Sequence, residues 1–71
     1  MSQRDLQKFG KRVKTLRVER DLTQLKLAEI LDMSPNFVGM IERGERNTNV
    51  ENVFNIARAL GVKPNELFEN L

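Results

Sequence analysis

Histidine and cysteine are both absent from the 71 residues. Their absence removes the commonest general base, the commonest metal ligand and every thiolate nucleophile. Serine occurs only at Ser2 and Ser34, with no histidine to activate either. Tyrosine and tryptophan are also missing. The carboxylates Glu29, Glu45, Glu51 and Glu66 read as solvated surface, and no carboxylate pair has a spacing that compels acid–base work. No glycine-rich phosphate loop is present. The expectation is a protein that is not an enzyme and takes no metal, cofactor or small-molecule ligand.

What remains is charge and its placement. The chain carries a net +2, unevenly distributed. Residues 1–20 hold seven basic and two acidic side chains, a net +5, whereas residues 21–71 hold five and eight, a net −3. A basic first segment suits an anionic partner such as nucleic acid; a solvated helix face explains it equally well. The longest apolar runs are three or four residues and no apolar stretch follows Met1. Neither a membrane span nor a secretion signal is expected, and the expected location is cytoplasmic.

These side chains must be positioned by one small domain, residues 1–71, because a chain this short buries only about 60% of its unfolded surface. Leu6, Phe9, Val13 and Leu16 recur at steps of three and four, which predicts a first helix over about Arg4 to Arg20. Gly10 inside it marks a close packing point. Thr23 is an N-cap for a second helix, Gln24 to Leu31, with Leu27, Ala28 and Leu31 inward. Ser34-Pro35 starts a third, Pro35 to Arg43, ended by Gly44, with Val38 and Ile41 inward. Thr48 or Asn49 caps a fourth, Val50 to Leu60, whose stripe is Val50, Val53, Ile56, Ala57 and Leu60. Gly61 ends it, and Lys63-Pro64 opens a short fifth helix through Leu67 and Phe68. No window alternates like a strand, so the class is all-α, a five-helix bundle.

Residues 24–43 therefore form two helices joined by a tight turn, a supporting helix and a second one free to enter a groove. Ala28 sits where the two must approach closely, and Val38 packs the second onto the first.

The segment LTQLKLAEILDMSPNFVGMIERGERN resembles the helix-turn-helix of the Cro/phage-repressor-like (XRE-type) family, through Leu22-Thr23-Gln24, Leu27-Ala28, Ser34, Val38, Ile41-Glu42 and Gly44. NVFNIARALGVKPNELF is similar to the family's last two helices, so the resemblance spans about residues 6–68 and implies a lambda-repressor-like fold. Within the family, IERGERN followed by ENVFNIARAL is similar to controller proteins of restriction–modification systems. Two positions depart from the pattern. Asp32 stands where the turn usually carries glycine, and aspartate tolerates the left-handed conformation. Pro35 stands where many relatives carry glutamine or arginine, which removes one polar contact.

The resemblance implies a DNA-binding set of Gln24, Ser34, Pro35, Asn36, Phe37, Gly39, Met40, Arg43, Arg46 and Asn47. Gln24 would bond a phosphate at the start of the supporting helix. Asn36 can bond adenine bidentately, or simply start the helix. Phe37 and Met40 can pack on thymine methyls, or belong to the core or its edge. Gly39 would allow close approach to the groove floor. Arg43 and Arg46 would reach phosphates or guanine, and Asn47 the backbone. Arg17 and Glu42 match a salt bridge that aims the recognition helix. Phe54, Phe68 and Leu71 exceed the needs of so small a core; they cap its far end or form a dimer patch.

The expected function is a sequence-specific transcriptional regulator, acting as a homodimer on a two-fold operator in double-stranded DNA. The subgroup resemblance extends this to control of its own gene and of restriction–modification genes, with the operator-bound protein acting as a repressor that blocks polymerase or as an activator that helps recruit it. With no further domain to sense a ligand, regulation is expected through protein concentration and cooperativity. The competing reading is an antitoxin-like protein-interaction module on the same fold.

Overall fold

Four α-helices each begin at a side chain that accepts a hydrogen bond from a backbone N–H of the first turn. The computed structural model describes residues 1–69. Helix α1 spans Gln3–Glu19, α2 Gln24–Leu31, α3 Pro35–Glu42 and α4 Val50–Leu60. The cap of α1 is Ser2, whose hydroxyl accepts from the Asp5 N–H at 3.1 Å, so the helix starts one residue earlier than expected. Thr23 accepts from Lys26 N–H at 3.0 Å, Ser34 from Phe37 N–H at 3.1 Å and Asn49, rather than Thr48, from Asn52 N–H at 2.7 Å. A left-handed residue lies just past each helix: Asp21 (φ 56°) after α1, Asp32 (φ 56°) after α2, Gly44 (φ 74°) after α3, as expected, and Gly61 (φ 70°) after α4.

The expected fifth helix is a 3₁₀ segment, Pro64–Phe68, so the described residues form an all-helical architecture with four α-helices. Five residues are too few for a stable run of α-type bonds, and side-chain bonds hold the segment instead. The Glu66 carboxylate accepts from the Lys63 N–H at 2.6 Å. Arg12 of α1 donates from Nε to the Glu66 carbonyl at 2.9 Å and pairs with Glu69 at 3.1 Å. Glu66 is thus a half-buried cap and not the solvated carboxylate its sequence position suggests.

The core gathers Phe9, Val13 and Leu16 from α1, Leu27 and Ala28 from α2, Val38 and Ile41 from α3, Ile56, Ala57 and Leu60 from α4, and Leu67. Leu31 lies half-buried at its edge. Val50 departs from the expected stripe: at the first position of α4 nothing packs over it, and it is 70% exposed. Phe68 stacks on Phe9 with ring centroids 5.4 Å apart, within the range of favourable aromatic pairs. Helix α3 packs on α1 and α2, whereas α4 and the 3₁₀ segment pack on α1 and on each other, and α4 also on α2.

Gly10 is the point where α1 crosses the end of α3. A Cβ there would lie 2.6 Å from the Glu42 carbonyl oxygen, in contact with backbone that cannot rotate away. Gly10→Ala should therefore lower the melting temperature despite alanine's better helix propensity, by about 4–8 °C per kcal/mol lost in a domain this small. Thermal unfolding followed by circular dichroism reads this directly; a raised midpoint would mean that the crossing is looser than the geometry shows.

Candidate nucleic-acid interface

The C-terminal end of α3 is fixed by a buried charge network. Arg17 donates to Glu42 twice, Nε to Oε2 at 2.6 Å and Nη2 to Oε1 at 3.2 Å. Its third nitrogen, Nη1, donates to the Leu22 carbonyl at 2.6 Å, at the corner between α1 and α2. Glu42 Oε1 also accepts from Gln24 Nε2 at 2.9 Å. The pair's side chains are 9% and 2% exposed, so both charges are removed from water and must satisfy one another. The network joins α1, the α1–α2 corner, the start of α2 and the end of α3.

With its inner side held this way, α3 turns Asn36, Met40 and Arg43 outward along one line at steps of four and three. Asn36 is exposed, and its Nδ2 lies 3.6 Å from the Met40 sulfur, a weak contact that leaves the amide free. Met40 is half-buried. Arg43 is exposed, and the Glu45 carboxylate takes its Nε at 3.1 Å. The hydrogen bond and charge of Glu45 raise the Arg43 pKa further above its ordinary value. Ser34 and Pro35 lie exposed at the start of α3, with the Ser34 hydroxyl engaged in the cap.

Phe37 is half-buried against the core, and the Arg46 guanidinium stands over its ring, 5.2 Å from the centroid. The ring thus serves both the core and a loop cation, a contact worth about 0.5–1 kcal/mol at an exposed site. Asn47 is exposed in the same loop. Gly39 departs from expectation: it is buried, covered by the Arg43 and Gln24 side chains, so a Cβ there would lie 3.0 Å from Arg43 Nη1. Gln24 is half-buried, with one amide proton already given to Glu42. Phe54 and Phe68 are 45% and 37% exposed on elements that pack away from α3. Leu71 lies outside the described residues. The sequence reading missed the Gln24–Glu42 bond, the Arg43–Glu45 pair and the Arg46–Phe37 stack. Only the second had a local signal, two residues of separation.

A supporting helix, a tight turn and a second helix whose outer side carries asparagine, methionine and arginine define a helix-turn-helix DNA-binding regulator. The chain belongs to the XRE-type helix-turn-helix family (HTH_3), which matches residues 13–67. It is 37% identical over 62 residues to control protein C.BamHI of Bacillus amyloliquefaciens, covering 86% of this chain and 76% of that one. It is 35% identical over 65 residues to control protein C.MunI of a Mycoplasma species, covering 90% and 88%. The crystal structure of the restriction–modification controller protein C.AhdI from Aeromonas hydrophila superposes with a TM-score of 0.88 at 42% identity, over 92% of this chain and 98% of that one.

Arg17→Leu strands Glu42 as a buried, uncompensated charge. The expected loss is about 3–5 kcal/mol of unfolding free energy, measured by urea denaturation. A loss below about 1 kcal/mol, the range of exposed pairs, would place the bridge in water.

Proposed function

We propose that the chain is a controller-type regulator that binds a two-fold operator as a homodimer and governs its own gene together with those of a restriction–modification system. The observation that carries this reading is the outward line of Asn36, Met40 and Arg43 on a helix held rigid from behind by Arg17, Glu42 and Gln24. The controller proteins it resembles supply the biological setting.

In this reading Asn36 reads adenine through its amide, and Met40 contacts a thymine methyl. Arg43 leaves Glu45 for DNA. Arg46, oriented by the Phe37 ring, and Asn47 take phosphates of the same strand segment. Ser34, Pro35 and Gln24 face the backbone where α2 and α3 begin, and Gln24 uses the amide groups that Glu42 leaves free. Phe37 acts as a positioning residue for Arg46, and Gly39 gives room for Gln24 and Arg43.

Size supports the dimer. The domain's longest dimension is 27 Å, less than the roughly 34 Å between successive half-site centres. One copy therefore reads one half-site. Phe54 and Phe68 leave apolar area on elements that do not pack on α3, so a pair joined there keeps both α3 helices free.

Fluorescence-anisotropy titration of DNA from upstream of the chain's own gene, against scrambled DNA, tests the reading. A preference of at least ~10³-fold supports a specific regulator. Asn36→Ala should lose about 1–3 kcal/mol at one base pair and relax the preference there. Arg46→Ala should weaken binding evenly across sequences and lower the salt slope by about 1. Equal losses on both DNAs for Asn36→Ala would remove the readout role.

A further inference from the structure

The basic side chains of α1 divide into two groups. Arg12, Arg17 and Arg20 are paired with Glu69, Glu42 and Glu19. Arg4, Lys8, Lys11 and Lys14 form no ion pair among the described residues. At 100° per residue these four fall on one face, opposite the buried stripe of Leu6, Phe9, Val13 and Leu16. Arg4, Lys11 and Lys14 are exposed and Lys8 half-buried. They stand three or four residues apart, so neighbouring like charges destabilise the helix when nothing neutralises them.

This face also adjoins the candidate interface. Gln3 Nε2 donates to the Gly44 carbonyl at 3.0 Å, and a Cβ on Gly44 would lie 2.7 Å from Gln7 Cγ. The loop that follows Arg43, the C-cap of α3, and bears Arg46 and Asn47 therefore leans on the edge of α1 formed by Gln3 and Gln7. Gln7, Lys11 and Lys14 continue along a single ridge at steps of four and three. The loop cations and the α1 cations thus lie on contiguous surface.

We propose that the outer face of α1, built from Arg4, Lys8, Lys11 and Lys14, is a second, sequence-independent contact surface for the phosphate backbone of duplex DNA. The inference rests on the DNA-binding reading above and adds to it a surface outside the helix-turn-helix. Its chemistry suits phosphate in general: flexible ammonium groups act as point charges and impose no base geometry. Its consequence is a greater affinity for all duplexes and a steeper salt dependence, with the choice of operator left to α3.

The test compares the unchanged chain with K8Q/K11Q/K14Q and, separately, N36A, on the upstream duplex and on a random-sequence duplex across a salt series. Circular dichroism first confirms that each variant folds. For K8Q/K11Q/K14Q the slope of log K against log salt should fall by about 0.9 for each lysine seated on a phosphate, up to about 3 per protomer, on both duplexes. Its preference for the upstream DNA should stay unchanged. N36A should do the reverse, keeping the slope and losing preference. A slope for K8Q/K11Q/K14Q equal to that of the unchanged chain overturns the proposal, and it would give the face to a partner other than DNA or to solvent alone. Should the unchanged chain show no operator preference while the lysine variant still lowers the slope, the regulator reading fails and the α1 surface stands. Absence of DNA binding by the unchanged chain overturns both.

Discussion

Arg17 and Glu42 are two opposite charges removed from water, and the structure depends on their being satisfied completely. Glu42 receives three hydrogen bonds, two from Arg17 and one from Gln24, and the third nitrogen of Arg17 donates to the Leu22 carbonyl. A buried ion pair contributes little net stability once desolvation is counted. Its geometry is restrictive, however, because any shift of α3 along or about its axis lengthens several charged bonds together. The pair therefore serves placement more than stability, and what it places is the helix that presents Asn36, Met40 and Arg43.

Everything else near α3 is consistent with that constraint. Helices of eight residues do not persist alone, so α2 and α3 exist through caps and tertiary packing. Thr23 and Ser34 fix where each begins, and the left-handed Asp32 sets the angle between them. Gly10 lets the α1 backbone approach the end of α3 closely enough for Arg17, two turns further on, to reach Glu42. The same edge of α1 supports Gly44, which carries the loop that holds Arg46 over Phe37.

The parts of this arrangement that were legible in the sequence are those that act locally. The caps Thr23 and Ser34, the cap of α4 as one of two neighbours, the apolar stripes of α1 to α3 and the turn at Asp32 each depend on residues within a few positions. Val50 was misplaced because periodicity extends a stripe to the helix end without showing whether a neighbour reaches that far. The last segment was read as a helix because proline and spacing mark a start but not the type of turn that follows. The family resemblance implies an open Gly39, but a match of positions does not show the side chains, Gln24 and Arg43, that fold over it. The Arg46–Phe37 stack and the Gln24–Glu42 bond join residues 9 and 18 positions apart with no periodic relation. The Arg17–Glu42 pairing, separated by 25 residues, was suggested only by the family resemblance.

If the network aims α3, removing both charges together should leave a folded protein that has lost its aim. Replacing Arg17 and Glu42 jointly by apolar residues of similar volume, R17M/E42L, leaves no stranded charge, and such exchanges are often neutral or stabilising. The most direct measurement is the ratio of this variant's affinities for the upstream duplex and a scrambled one, with urea denaturation as the control for folding. R17M/E42L should keep a stability close to that of the unchanged chain, lose at least about tenfold in preference, equivalent to ~1.4 kcal/mol, and retain non-specific binding. A stable variant with undiminished preference would contradict the aiming role, because α3 would then be positioned by packing alone.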